Sequence, residues 1–422
     1  MPNQTLPFTK SQIEKLAEQF PTPFYLYDEA GIIESAKNLT AAFSWAPLGF
    51  RNYFAVKANP NPRILEILAD ETGAGADCSS LPELLLSKEV GIVGQGVMFT
   101  SNNTPANEFA KAREMNAIIN LDDITHIEFL ERHAGMPDTL SFRYNPGTGN
   151  RITGGSDAKF GLTMDQMVEA YRIAKQKDVK NFGLHTMVAS NELNPQHFAK
   201  VADETFRMAA QISKELGIQF KFVNLGGGIG IPYKPSQQPA DLDAISAGVK
   251  EAYTKHIESN GLNSLRVYME CGRLITGPHG YLITTVRHMM QKHKSFVGVD
   301  ANMSNLMRPG MYGPEGYGYH HITVLGKETT PRDNACDVTG SLCENSDKFA
   351  VQRQLPKIET GDILVMHDAG AHGHSMGYQY NGKLRSAEIL MRKDGTFELI
   401  RRAETPDDYF VTLNFPGSRF RV

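Results

Sequence analysis

Three short stretches carry residue types that do chemistry together. Lys57 closes the run Tyr53-Phe54-Ala55-Val56-Lys57, where apolar neighbours hold its stem while the amine points outward. Partial desolvation of that kind is expected to lower a lysine pKa and to suit the amine to Schiff-base or general-base chemistry. A lone lysine would merely snorkel to solvent, so its companions decide the matter. Asn224-Leu225-Gly226-Gly227-Gly228-Ile229-Gly230 lets backbone N–H groups approach a phosphate closely. Glu270-Cys271-Gly272-Arg273 sets a carboxylate and a guanidinium near one another. Either stretch alone is ambiguous, because tight turns need glycine and Glu–Arg pairs are commonly structural.

The elements that position them form a regular series. Eight β-rich runs are expected at Phe50–Lys57, Gly75–Ser80, Gly96–Ser101, Ala117–Asp122, Leu140–Asn145, Phe182–Val188, Phe220–Gly226 and Arg266–Cys271, with segments of helical apolar spacing between them. The longest, from Asn194, stops at Gly217. Eight strands alternating with helices predict a (β/α)8 barrel. An open doubly wound sheet would place a Gly-rich turn, not Lys57, after its first strand. Barrel chemistry gathers at the C-terminal strand ends. Those ends here carry Lys57, Asp77 with Ser79, Asn102, Asp122, Arg143 with Asn145, His185 to Ser190, Gly226 to Gly228, and Glu270 with Arg273. An amine, a phosphate cradle and an acid at one barrel mouth are the parts that a pyridoxal phosphate site needs. The amine holds the aldehyde, the glycines hold the phosphate, and the acid keeps the ring nitrogen protonated. A Schiff-base aldolase would use the lysine without the acid.

After about residue 280 the texture becomes β-rich, with a hairpin turn at Lys393-Asp394-Gly395, and helical periodicity is absent until the end. The expected division is a barrel over residues 30–278 and a β-domain built from 1–29 and 279–422. Ser11 and Glu14 stand in capping-box spacing at the start of a first helix. The Gly-rich segment 147–160 reads as a mobile loop beside the barrel mouth. The 422 residues, 41% of them apolar and 21% charged, describe an ordinary globular chain. A net charge of −4 leaves no footprint for nucleic acid or anionic membrane, so neither is an expected partner. Four cysteines without a Cys-x-x-Cys pair predict neither a disulfide framework nor a metal site. With no signal-peptide layout and no long apolar run, the expected location is the cytoplasm.

The chain resembles the fold type III, alanine-racemase-like pyridoxal phosphate decarboxylases, and among them the diaminopimelate decarboxylases. The matching stretches run in order through YFAVKANPNPRIL, GAGADCSSLPELLL, KFGLT, NLGGGIGIPY, ECGRLITGPHGYL, VGVDANMSNLMRPGMYG, DVTGSLCENSDKF and DAGAHGHSMGYQYNGKLRSAEIL. The resemblance implies that Lys57 carries the cofactor. Asp77, His185, Met187, Ser190, Gly227, Gly228, Glu270, Cys271, Gly272, Arg273 and His372 would surround it, with Glu270 at the pyridine nitrogen. Arg273, Arg308, Tyr312 and Tyr378 would bind substrate. Cys343 and Glu344 would reach into a neighbouring subunit's site, the thiol returning a proton and the carboxylate holding the distal amine. Both sites of a homodimer would then be shared. Two positions depart from the family's pattern: Met187 stands where a histidine usually stacks on the cofactor, and His372 replaces a tyrosine. Residues 314–318 look like an insertion. The implied activity is decarboxylation of meso-diaminopimelate to L-lysine, a step of lysine biosynthesis. A decarboxylase of D-lysine or D-ornithine, or a pyridoxal phosphate carrier without turnover, remains the alternative.

Overall fold

The computed structural model describes residues 5–147 and 157–414, so most of the expected Gly-rich loop lies outside the described residues. The chain divides into two compact units, one of Ile33–Ile231 with Gln238–Ile275, the other of Met1–Ile32, Pro232–Gln237 and Thr276–Val422.

The first strand, β1 (Phe24–Asp28), belongs to the second of these units. The next eight are β2 (Phe50–Ala55), β3 (Gly75–Cys78), β4 (Val97–Ser101), β5 (Ile118–Leu121), β6 (Thr139–Tyr144), β7 (Asn181–Thr186), β8 (Phe220–Asn224) and β9 (Arg266–Met269). They form a closed parallel barrel in sequence order, sealed where β2 pairs β9 with Phe50 opposite Val267. Local signals set the intervening helices. Asn61 accepts the Arg63 N–H at 3.0 Å and Pro62 follows at the first turn, so the helix Pro62–Thr72 starts there. Asn194 caps the helix Pro195–Leu216 in the same way, and Gly217 ends it in a left-handed conformation.

Inside the barrel, Tyr53, Met98, Ile118, Phe222 and Tyr268 pack into one apolar layer. The rings of Tyr53 and Phe222 lie 5.0 and 4.9 Å from that of Tyr268. Burying an aromatic side chain of this kind contributes about 1.5–3 kcal/mol. Glycine makes the layer possible. A Cβ on Gly183 of β7 would stand 1.9 Å from the Phe222 ring, and one on Gly75 would stand 2.5 Å from that of Tyr53.

The other unit is mostly β. Its strands are β1, β10 (Gly280–Gln291), β11 (Ser295–Val299), β12 (Ile322–Val324), β13 (Asn334–Thr339), β14 (Lys348–Leu355), β15 (Ile363–Met366), β16 (Ala387–Met391) and β17 (Phe397–Arg401). They form a mixed sheet ordered β14-β13-β11-β10-β1-β16-β17, with β15 pairing β10 and β12. β1 runs antiparallel to β10 and parallel to β16. Ile13 and Leu16 of the first helix cover Phe24, Leu26, Ile283 and Ile389 of that sheet. The helix is Lys10–Gln19, and its capping box is Thr9 with Gln12 rather than Ser11 with Glu14. Thr9 has the extended backbone that a cap requires, while Ser11 already lies inside the first turn. Asp394 closes the β16–β17 hairpin by accepting the Thr396 N–H at 2.9 Å. A short helix, Met307–Tyr312, interrupts the β-region where no helical periodicity was expected, because six residues are too few to show a period.

Gly183→Ala is expected to destabilise the barrel by roughly 1–3 kcal/mol, the range for an overpacked core. Thermal melts should show a lowered Tm, and adding Phe222→Leu should recover part of the loss. An unchanged Tm for the single variant would mean that the ring can step aside freely.

Candidate active site

Lys57 lies just beyond β2, on the 3-10 turn Val56–Ala58 rather than in the strand. Its side chain is 50% exposed, while that of its partner Asp77 is 1% exposed. The amine donates to Asp77 Oδ2 at 2.9 Å. Burial works against the ammonium, yet the Asp77 and Glu270 carboxylates more than offset it and hold the Lys57 pKa above the ordinary value. The lowering expected from the sequence is thereby overturned. An apolar strand foretells desolvation, but the two acids come from strands 20 and more residues away. Asp77 bears the counterpart cost: burial first, then the Glu270 charge, pushes its carboxyl up to about 7, with Lys57 only partly opposing.

Glu270 follows β9 and is fully engaged. Oε1 accepts from Asn224 Nδ2 at 2.7 Å, and Oε2 lies 3.0 Å from His185 Nε2. Burial alone would raise its pKa, but His185, Lys57 and Asn224 together hold the carboxyl below the usual carboxylate range. An ionised carboxylate only accepts, so His185 Nε2 carries the hydrogen of this pair. Among the described residues, the buried His185 Nδ1 and Asp77 Oδ1 have no hydrogen-bond partner, and both sit in this cluster.

The glycine run wraps the same acid. Gly227 packs on the Glu270 carbonyl, where a Cβ would stand 2.4 Å away. Gly228, at φ +93°, packs as closely on the Ala189 carbonyl, beside Ser190. Met187 faces the run: Gly227 N–H donates to its Sδ at 3.1 Å, and its carbonyl accepts from Arg143 Nη2 at 3.2 Å. Arg143 also donates to Asp122 Oδ1 at 3.2 Å, so two strand-end residues act as a brace. Cys271 is clamped on both backbone groups by Asn52, which accepts its N–H at 2.8 Å and donates to its carbonyl at 3.0 Å. Gly272 fits against Ala55 and Ala58, and Arg273 opens the helix Arg273–Thr276. The barrel thus brings together Lys57, Asp77, His185, Met187, Gly227, Gly228, Glu270 and Cys271. Sequence reasoning missed Asn52 and Asn224 as site residues. The signal was a polar amide inside an apolar barrel strand, which has to be spent on something buried.

The other candidates lie in the second unit, on three segments that meet there. Gly310, in the helix that carries Arg308 and Tyr312, packs on the Ser346 carbonyl of the hairpin that carries Cys343 and Glu344. Tyr378 follows His372 on the third segment, and its phenol is raised first by burial and then by Asp347 and Glu344. His372 has a left-handed backbone at φ +54°. Arg308 is 2% exposed. It donates to the carbonyls of Tyr319, at 3.2 Å, and Tyr317, with its guanidinium carbon 3.6 Å from the centre of the Tyr233 ring.

A raised carboxyl pKa makes folding take up a proton. Relative to Asp77→Asn, the cofactor-free protein should lose stability as pH rises from about 4 towards 7 and level off above that. Denaturant unfolding of both proteins across this range measures the difference, in which the titrations of the remaining groups largely cancel. A flat or rising difference would contradict the Asp77 assignment.

The residues fit pyridoxal phosphate. A half-exposed amine stands beside a buried acid kept ionised, with unpartnered polar atoms next to both. Comparison with known proteins agrees. Residues 29–277 match the family model for the pyridoxal binding domain of pyridoxal-dependent decarboxylases. Protein TabA of Pseudomonas amygdali pv. tabaci is 40% identical over 94% of this chain and 92% of its own length. The diaminopimelate decarboxylase of Methanothermobacter thermautotrophicus is 34% identical over 96% and 94%. The crystal structure of diaminopimelate decarboxylase from M. jannaschii in complex with L-lysine superposes with a TM-score of 0.86 at 30% identity, covering 95% of this chain and 94% of that one. On sequence, fold and site chemistry alike, this chain belongs to the pyridoxal-dependent decarboxylases of the diaminopimelate decarboxylase type, enzymes that use pyridoxal phosphate.

Proposed function

We propose that the chain decarboxylates meso-diaminopimelate to L-lysine and CO2, acting as a dimer whose subunits share each site. The observation that carries the reading is the half-exposed amine of Lys57 against the buried carboxylates Asp77 and Glu270, with Glu270 held ionised by His185 and Asn224. Bound pyridoxal phosphate supplies the ring that takes up the electron pair left behind by CO2. Glu270 holds the proton on the ring nitrogen, and its low pKa keeps it an acceptor for that N–H. Lys57 is the point of covalent attachment. Asp77, 2.9 Å from that amine and with its carboxyl pushed up to about 7, would be placed to hold a proton at the lysine nitrogen or accept one from it. The glycine run and the Arg273 turn hold the phosphate. Cys343 returns a proton to the substrate carbon, Glu344 binds the distal amine, and Arg308 with Tyr312 meets the distal carboxylate.

A second reading has a specific observation in its favour. Both Nη atoms of Arg308 already donate to backbone carbonyls, and Tyr233 covers its face. A guanidinium so engaged suits a substrate with a cationic tail and no second carboxylate, such as D-lysine or D-ornithine.

Release of CO2 from meso-diaminopimelate, D-lysine, D-ornithine, D-arginine and their L-forms decides between the two. The first reading expects meso-diaminopimelate to give the highest kcat/KM, with L-lysine as product. A preference for a D-amino acid without a second carboxylate would replace it with the second.

Glu270→Gln should keep the cofactor but lower kcat by ~10²–10³-fold, the usual loss when one preorganised electrostatic group is removed. A wild-type kcat would leave Glu270 a purely structural partner of His185 and Asn224.

A further inference from the structure

The hairpin between β13 and β14, residues 340–347, carries Cys343 and Glu344 at its crown, both exposed. Joined only at its ends, such a loop would leave its crown free to move, yet this one is fastened. Asp347, 3% exposed, accepts the Leu342 N–H through Oδ2 at 2.8 Å and the Met303 N–H through Oδ1 at 2.6 Å. Its own N–H donates to the Glu344 carbonyl at 3.0 Å. Gly340 leaves no space beneath, since a Cβ there would stand 2.4 Å from Asp347 Oδ2.

The last tie comes from a distant segment. Asn381 Oδ1 accepts the N–H of Cys343 itself at 2.8 Å. Asn381 lies in the turn Tyr380–Gly382 at φ +56°, in the left-handed region that asparagine, aspartate and glycine enter most readily. That turn is fixed in its own right. Gln379 Nε2 donates to Glu404 Oε2 at 2.7 Å, and the same oxygen accepts the Arg385 N–H at 2.8 Å. A left-handed asparagine, its side chain aimed at one particular N–H across a sequence separation of 38, needs a reason beyond turn formation.

We propose that Asn381 is a positioning residue for the reaction: it fixes the backbone of Cys343 so that the thiol meets the substrate carbon that has lost CO2. This rests on Cys343 being the proton donor, as proposed above. In that step the S–H bond breaks as the new C–H bond forms, and the thiolate regains its proton from water. A cysteine side chain has one torsion before sulfur, so the Sγ position follows the backbone directly. Displacing a reacting group by about 1 Å costs on the order of 10²-fold in rate.

The test compares Asn381→Gly, Asn381→Asp, Cys343→Ala and the double variant Asn381→Gly/Cys343→Ala in the holoenzyme, on the amino acid that it decarboxylates fastest. Glycine accepts the positive φ without strain but removes the acceptor, whereas aspartate keeps both, so neither change threatens folding. Expected are a kcat roughly 10–100-fold lower for Asn381→Gly with little change in KM, a near wild-type kcat for Asn381→Asp, and unaltered melting for both. In the Cys343→Ala background, Asn381→Gly should add almost nothing. A wild-type kcat for Asn381→Gly beside a slow Cys343→Ala would overturn the positioning role and leave the donor reading standing. A fast Cys343→Ala would overturn both. Equal losses in the glycine and aspartate variants, or full additivity in the double variant, would show that Asn381 serves something other than the thiol.

Discussion

The barrel site is organised around a charge imbalance between two buried carboxylates and one half-exposed amine. Two carboxylates, Asp77 and Glu270, face one ammonium, Lys57, and burial penalises all three. The fold resolves the competition unequally. Glu270 receives the Asn224 amide and the His185 ring and stays charged, while Asp77 has only Lys57 and is driven to the edge of protonation. One acid is therefore fixed and the other is able to exchange a proton near neutrality. Most of the surrounding design follows. Asn224 and His185 come from the ends of β8 and β7, and the glycine run passes close over the Glu270 carbonyl because nothing larger than hydrogen fits.

Much of the fold was legible because its signals are local and repeated. Eight apolar runs at regular spacing left little choice but a barrel, and Asn194 and Gly217 bound the longest barrel helix where the sequence placed them. The ambiguous signals were those that compete over a few residues. Ser11-Glu14 and Thr9-Gln12 both satisfy the cap pattern, and the packing of Ile13 and Leu16 on the sheet fixes the register that uses Thr9. The first site lysine was legible as a position and misread as a pKa. Its environment depends on Asp77 and Glu270, acids brought in by barrel closure, and no window of sequence around residue 57 contains them.

Arg308 teaches the converse lesson. An arginine beside a Pro-Gly pair reads as a surface cation or a ligand for a substrate anion. In the folded unit it is buried among Tyr233, Tyr317, Tyr319 and His320, and Glu315 of the neighbouring segment pairs with Arg353 at 2.7 Å. Residues 314–318, which looked like an insertion, supply the Tyr317 carbonyl and ring to that cage. The placement of Arg308 is thus bound up with a stretch that has no chemistry of its own.

The Asn52–Cys271 clamp joins residues 219 positions apart, across the seam where the first barrel strand meets the last. No shorter loop can make it, so it forms only when the ring of strands closes, after most of the chain entropy of the barrel has been lost. The part of the site built on the Cys271 backbone therefore does not exist in any partly folded intermediate with an open seam. During synthesis at ~5–20 residues per second, every residue up to Cys271 must have left the ribosome before the pocket can exist. Cofactor binding to the completed site then reports barrel closure itself, and draws the last step of folding forward by mass action.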